Sequence, residues 1–125
     1  MHALIIGGVG GMGQGVARDL VKQDIVKKIT LADLYPDPER LSKKLRESDK
    51  TELVKMDVFD HLAMVKAFKE ASVIINTAGP FYKTAVPVAK AAVEAKVNYI
   101  DICDDYEGTE ILYNSEIDKL AKDAG

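Results

Sequence analysis

The chain carries, at residues 4–17, the stretch Leu-Ile-Ile-Gly-Gly-Val-Gly-Gly-Met-Gly-Gln-Gly-Val-Ala. Its hydrophobic start predicts a strand, which passes directly into a glycine-rich turn and then into an amphipathic helix pattern. Gly8, Gly10 and Gly13 fit the spacing G-x-G-x-x-G, and Asp33 ends the next apolar run twenty residues further on. Strand, glycines, helix and distal acid, in this order, predict a dinucleotide-binding site in a parallel α/β fold.

Each glycine of this turn has a predicted role. Gly8 would allow the tight turn, and Gly10 would leave room for a pyrophosphate because it has no side chain. Gly13 would let the helix pack closely against the strand, and the N–H groups at the start of that helix would bind the phosphates. We therefore predict cofactor contacts from Gly8, Val9, Gly10, Gly11, Met12 and Gly13.

Composition restricts the classes of protein to consider. With 125 residues, of which 47% are hydrophobic and 30% charged, the chain has the size of one globular domain. A net charge of −3 argues against nucleic acid as a partner, and no apolar run is long enough to cross a membrane. The single cysteine, Cys103, and the lack of a signal-peptide pattern predict a cytoplasmic protein. His2 and His61 are isolated, so no metal site is predicted.

Short β-rich runs alternate with helical periodicity along the chain, which is typical of βαβ units. Strands are predicted at Ala3–Ile6, Lys28–Asp33, Glu52–Met56, Ser72–Asn76 and Asn98–Ile102. Helices are predicted at Met12–Gln23, Pro38–Glu47, Leu62–Glu70, Ala85–Ala95 and Ile111–Ala124, with Pro38 and Pro87 in first turns. Right-handed crossovers favour a doubly wound, Rossmann-type sheet of order 3-2-1-4-5, with a sixth strand expected after Gly125.

Residues after the second and third strands are predicted to bind the adenosine. Asp33 would accept hydrogen bonds from the ribose hydroxyls and repel a 2′-phosphate, and it is followed by Leu34 rather than arginine. The sequence thus predicts NAD as the cofactor. NADP remains an alternative through three cations of the next helix, Arg40, Lys43 and Lys44. Asp57 and Val58 would meet the adenine. The alternative for Asp33 is that it only caps a turn. For Asp60, which belongs to the same segment as Asp57 and Val58, the alternative to a place beside the adenine is a helix N-cap.

The ends of the fourth and fifth strands are predicted to face the nicotinamide and the substrate. Ala78, Gly79 and Pro80 are small or compact enough to lie against the cofactor, and the Tyr82 phenol could project toward the nicotinamide. Asp104 follows the fifth strand, where an acid could bind a substrate ammonium group. Both catalytic assignments have simpler alternatives, because Tyr82 could be a packing residue and Asp104 could favour the positive end of a helix.

The chain resembles the N-terminal nucleotide-binding domain of the saccharopine dehydrogenase family, which includes saccharopine reductases, lysine dehydrogenases and carboxynorspermidine synthases. The resemblance rests on residues 4–17, Ile29–Asp33, Val54–Asp57, Val73–Tyr82 and, most specifically, Pro87–Asp101. Val9 departs from the usual alanine. The resemblance implies oxidation of the CH–NH group of an amino acid or polyamine-type substrate, with hydride transfer to or from NAD(P).

The resemblance also implies a substrate and dimerisation domain, which residues 1–125 do not contain. We therefore expect a cofactor domain, inactive alone, whose homodimer contacts would lie in that further domain. Two other classes of protein share parts of this pattern. A regulatory NAD(H)-sensing module without catalysis stays open. A short-chain reductase, suggested by Gly7, Gly10 and Gly13 as G-x-x-G-x-x-G, needs Tyr-x-x-x-Lys, and that motif is absent.

Overall fold

A computed structural model describes residues 1–125 and contains one parallel sheet of five strands. The strands are β1 (His2–Ile6), β2 (Lys28–Asp33), β3 (Thr51–Lys55), β4 (Val73–Asn76) and β5 (Asn98–Asp101). Their order is β3-β2-β1-β4-β5, which confirms the predicted Rossmann-type arrangement. The order reverses between β1 and β4, so a crevice opens at the carboxyl ends of these two strands.

The central strand β1 is buried on both faces, which explains its continuous run of apolar residues. Leu4 and Ile6 belong to one hydrophobic cluster, together with Met64 and Phe68 from the helix that follows β3. Ile5, on the other face of β1, belongs to a second cluster that contains residues of the helix that follows β1. Each face of the sheet therefore has its own core.

Four helices and one 3-10 turn connect the strands, and two further helices follow β5. They are α1 (Gly11–Leu20), the 3-10 turn (Pro38–Arg40), α2 (Lys43–Arg46), α3 (His61–Phe68), α4 (Phe81–Ala95), α5 (Tyr106–Tyr113) and α6 (Ile117–Ala124). Asp60 caps α3 by accepting a hydrogen bond from the N–H of Ala63, and Asp105 caps α5 in the same way through Glu107. The N-cap interpretation of Asp60 is thereby confirmed.

Two predicted helices are each broken into two elements. Within Pro38–Glu47, Leu41 has an extended backbone (φ −75°, ψ 141°) and a buried side chain. The chain leaves helical geometry there to bury Leu41, and this separates the 3-10 turn from α2. Within Ile111–Ala124, the Ser115 hydroxyl donates to the carbonyl of Leu112 and accepts from the N–H of Ile117. Such local side-chain bonds compete with helix formation and explain the break between α5 and α6.

Helix α4 begins at Phe81, four residues before the predicted start at Ala85. The Thr84 hydroxyl donates to the carbonyl of Ala78 at 2.5 Å, which ties the first turn of the helix to the end of β4. Pro87 consequently lies inside the helix, and the prediction that it occupies a first turn is wrong. Pro38 does begin its 3-10 turn, as predicted.

Candidate dinucleotide-binding site

The glycine turn after β1 is packed too closely for side chains at several positions. Gly7 has a φ of +76°, so the left-handed conformation that the tight turn requires falls there and not at Gly8. A Cβ on Gly8 would lie 2.7 Å from the Cα of Leu31 in β2. A Cβ on Gly13 would collide with the carbonyl oxygen of Gly7, so α1 approaches the turn as closely as predicted. The role of Gly8 is therefore corrected to close contact with β2.

Gly10 has a different environment from these tightly packed glycines. It is the N-cap of α1, and a Cβ there would meet only the carbonyl oxygen of Gly7, at 3.2 Å. No side chain caps this end of α1. The N–H groups of the first turn of the helix therefore remain available to an anion, which the helix dipole also favours. This arrangement fits a pyrophosphate.

A cleft of about 280 Å³ lies between the glycine turn and the ends of β2, β3 and β4. Among the predicted cofactor residues it is lined by Gly10, Asp33, Leu34, Val58, Ala78 and Gly79. Residues outside the predicted contact set complete it, namely Ile6, Gly7, Arg40, Met56 and Thr77. The cleft thus lies at the switch point of the sheet, where open α/β sheets bind ligands.

The other predicted cofactor residues do not line this cleft. Val9 is 1% exposed and belongs to the core, and its N–H bonds to Asp33, which lines the cleft. Gly11 and Met12 are exposed at the start of α1, and Pro80 is exposed before α4. Asp57 is exposed and accepts a hydrogen bond from the N–H of Phe59 at 2.9 Å. Gly8 and Gly13 serve the packing of the turn described above.

Asp33 caps a turn, which is the alternative role that the sequence allowed, and it also lines the cleft. One carboxylate oxygen accepts from the N–H of Val9 at 3.3 Å, and the other accepts from the N–H of Tyr35 at 3.2 Å. The residue therefore caps the turn after β2 and also ties it to the glycine turn. Because each carboxylate oxygen has a second lone pair, Asp33 can still accept hydrogen bonds from a ligand in the cleft. Arg40 lines the same cleft and forms no ion pair.

Thr77 is a cleft residue that sequence reasoning missed. Its hydroxyl is 2.7 Å from the carbonyl oxygen of Ile6 and 3.3 Å from that of Gly7, and it donates to them. This bond fixes the end of β4 to the end of β1. Gly7, which also lines the cleft, belongs to the G-x-x-G-x-x-G spacing but not to G-x-G-x-x-G. The G-x-x-G-x-x-G spacing was thus the available signal for Gly7, whereas no local pattern marks Thr77.

A partly buried polar network lies at the ends of β4 and β5. Asn76 is fully buried; its Oδ1 accepts from the N–H of Ala78 at 3.1 Å, and its Nδ2 donates to the Tyr99 hydroxyl at 3.3 Å. That hydroxyl donates to Asp101 Oδ2 at 2.8 Å, and Asp101 Oδ1 accepts from the N–H of Cys103. Burial, above all, raises the pKa of Tyr99. The network connects the loops that follow the two strands.

The two predicted catalytic residues lie outside the cleft lining. Tyr82 is in the first turn of α4 and is 42% exposed, with the Lys83 ammonium 5.5 Å from the centroid of its ring. Asp104 is exposed in the loop between β5 and α5, and the cap of α5 is the next residue, Asp105. The structure thus leaves both side chains on the surface at the carboxyl end of the sheet.

The structure has a doubly wound parallel sheet, a glycine turn at a helix N-terminus and an acid at the tip of β2. Together these features define a Rossmann-type dinucleotide-binding domain. Comparison with known families agrees with this class. The chain belongs to the family described as the saccharopine dehydrogenase NADP binding domain, whose model matches residues 3–125.

Individual relatives are distant and longer. A mouse (Mus musculus) saccharopine dehydrogenase-like oxidoreductase is 22% identical over 97% of this chain and 32% of its own length. Apo saccharopine dehydrogenase (L-Glu forming) from Saccharomyces cerevisiae is 21% identical, with a TM-score of 0.68 over 88% of this chain and 23% of the yeast chain. A Rossmann-fold NAD(P)-binding family protein from Shigella flexneri is 18% identical, with a TM-score of 0.72 over 97% and 63% of the two chains. The chain therefore spans about a third of the mouse relative and about a quarter of the yeast enzyme.

The helices are also informative about membranes. None of them has both the length and the apolar character that a bilayer crossing requires.

Proposed function

We propose that this chain binds a nicotinamide dinucleotide as the cofactor domain of an oxidoreductase that acts on the CH–NH group of an amino acid or polyamine-type substrate. The observation that supports it most is the cleft at the switch point, which brings the uncapped start of α1 together with Asp33 and Ala78. The pyrophosphate would be bound by the first turn of α1. Gly10 would lie beside it, since a side chain there would project into the space it needs.

We propose that NAD is preferred to NADP, by a modest factor. The Asp33 carboxylate can accept hydrogen bonds from the adenosine ribose and repels a 2′-phosphate. Arg40 lines the same cleft and offsets part of that repulsion, because it has no carboxylate partner of its own. The preference then follows from the balance between these two side chains.

The reaction would take place at the exposed carboxyl end of β4 and β5. The nicotinamide, when bound, supplies the hydride acceptor or donor. In this proposal Ala78 and Gly79 form one wall beside it, and Tyr82 and Asp104 contact the amine or ammonium group of the substrate. The family relationship supports this substrate class. We propose that the remaining substrate contacts and any dimer contacts belong to the part of such proteins that this chain does not span, and that the protein is cytoplasmic.

Calorimetric titration of residues 1–125 with NADH and NADPH tests the binding proposal. We expect Gly10→Val to weaken the binding of both by more than about tenfold, because the added side chain occupies the pyrophosphate position. The fold should survive, since a Cβ at Gly10 meets a single atom at 3.2 Å. Gly15→Ala is the matched control, because a Cβ at Gly15 meets only the end of the Arg18 side chain, at 3.9 Å.

Equal affinity in the unsubstituted chain and in Gly10→Val would contradict the assignment of this turn. Adding lysine or saccharopine to the same samples, together with NAD, should give no cofactor reduction. Rapid reduction by residues 1–125 would show that the substrate site is complete within them.

A further inference from the structure

The side chain of Gln14 joins the glycine turn to the segment that follows β2. Its Nε2 donates to the carbonyl of Val9 and to the carbonyl of Arg40, both at 2.9 Å. Its Oε1 accepts from the backbone N–H of Ser42, also at 2.9 Å. Two carbonyls on one side and an N–H on the other fix the orientation of the amide, because only the nitrogen can donate.

The segment held by Gln14 has few other attachments. Residues 34–42 pair with no strand, and all but Pro36, Leu41 and Ser42 are exposed. Leu41 anchors the segment by burial in the core. The ion pair between Glu39 and Arg46, at 3.6 Å, joins exposed side chains and contributes little. The Gln14 amide is therefore the main polar connection between this segment and the glycine turn.

The location of Arg40 gives this connection a functional consequence. Arg40 is the cationic residue of the cleft lining, and Asp33 is the anionic one. The Gln14 amide donates to the backbone carbonyls of Arg40 and Val9. The N–H of Val9, in the glycine turn, in turn donates to the Asp33 carboxylate. One side chain thus holds the backbone that carries Arg40 and the turn that bonds to Asp33, the two charged residues of the cleft lining.

We infer that Gln14 is a positioning residue for cofactor discrimination, which sets how far Arg40 offsets the repulsion between Asp33 and a 2′-phosphate. This inference rests on the proposed function, because it requires a dinucleotide in the cleft. It assigns to Gln14 an effect on the ratio of NADP to NAD affinity, whereas a purely structural role would change both affinities by the same factor.

The test is a double-substitution cycle read by calorimetric titration with NADPH and NADH. Gln14→Met keeps the length of the side chain and removes all three hydrogen bonds. We expect it to weaken NADPH binding by about tenfold and NADH binding by about threefold or less, because only the 2′-phosphate of NADPH would lose a charge-assisted contact with Arg40 when the Arg40 backbone is released. In an Arg40→Met background, Gln14→Met should change both affinities by equal factors.

Two further variants keep the result interpretable. Gln23→Met is the matched control, because that exposed glutamine makes no side-chain hydrogen bond and should leave both affinities unchanged. Gln14→Asn replaces Gln14→Met if the latter fails to fold, since it keeps the amide but is one methylene too short to join the two segments.

The inference is overturned if Gln14→Met weakens NADPH and NADH binding equally, or if its effect on their ratio persists without the Arg40 guanidinium. Binding of neither dinucleotide by the unsubstituted chain is a different result, which overturns the proposed function itself and the inference with it.

Discussion

The two sides of the cleft are built differently. On the side of β1 and β2, Gly8 and Gly13 leave no space for a Cβ, and Val9 is fully packed in the core. On the side of β4 and β5, a Cβ on Gly79 would meet no atom within 4 Å, and Tyr82 is substantially exposed. The first side is therefore closely packed around the glycine turn, whereas the second leaves open space and exposed polar and aromatic groups.

The largest expected effect contrasts one glycine from each side. Gly13→Ala should lower the free energy of unfolding by about 3 kcal/mol, because its Cβ meets backbone atoms of Gly7 and Gly8 that cannot move aside cheaply. Gly79→Ala should change it by less than about 0.5 kcal/mol, since the added methyl enters open space. Urea unfolding followed by circular dichroism measures both. Equal losses at the two positions would remove the contrast between the sides.

An intermediate effect is expected within the second side, in the polar network formed by Asn76, Tyr99 and Asp101. Tyr99→Phe leaves the buried Asn76 amide and the Asp101 carboxylate without their shared partner, which should cost about 1–3 kcal/mol near neutral pH. The pKa of Tyr99 is raised in the folded state, chiefly by burial. The contribution of the Tyr99 hydroxyl to the free energy of unfolding is therefore fully present below the ordinary tyrosine pKa of about 10. It is lost as pH rises above that value toward the raised pKa of the folded state.

The measurement is the free energy of unfolding of the unsubstituted chain and of Tyr99→Phe, at pH 8 and again at pH 10.5 and 11. The difference between the two proteins should shrink as pH increases, because only the unsubstituted chain loses the tyrosine contribution. Asn114→Ala serves as a control, since Asn114 is exposed at the end of α5 and its side chain makes no hydrogen bond. A difference that stays constant with pH would mean that the Tyr99 hydroxyl is not the group that titrates.

Sequence reasoning succeeded where a residue's role follows from its near neighbours. The sheet order follows from alternating strand and helix patterns, and the glycine spacing located the turn. It failed where the bonds or burial of one side chain decide the conformation, either locally, as between α5 and α6, or through a distant partner. The Pro38–Glu47 helix is interrupted because Leu41 is buried and Ser42 bonds to Gln14, 28 residues away. Thr77 likewise becomes a site residue only through its bond to Ile6, 71 residues away.

The site residues also divide into those that the sequence pattern predicts and those that only the folded chain reveals. Asp33 is predicted as a site residue because its spacing along the sequence from the glycines is characteristic. Its hydrogen bond with the Val9 N–H could not be predicted from that spacing. Arg40 was named as one of three cations, and only the folded chain separates it from Lys43 and Lys44 as the one that lines the cleft. The functions of Tyr82 and Asp104 stay predictions, since both side chains are exposed and lie outside the cleft lining.

The smallest expected effect compares the same residue type on a central strand and on an edge strand. Ile5 in β1 is fully buried and pairs in register with Leu31 and Ile75, whereas Ile100 in β5 is 54% exposed. Replacing either isoleucine by valine removes one methyl group and keeps the β-branched shape that strands favour, so the difference reports packing alone. Ile5→Val should cost about 1 kcal/mol, and Ile100→Val should change the free energy of unfolding by less than about 0.5 kcal/mol. Urea unfolding at one pH resolves this difference when both variants are measured together. A loss at Ile100 as large as that at Ile5 would mean that another surface already covers β5 in solution, for example a second copy of the chain, and the loss would then depend on protein concentration.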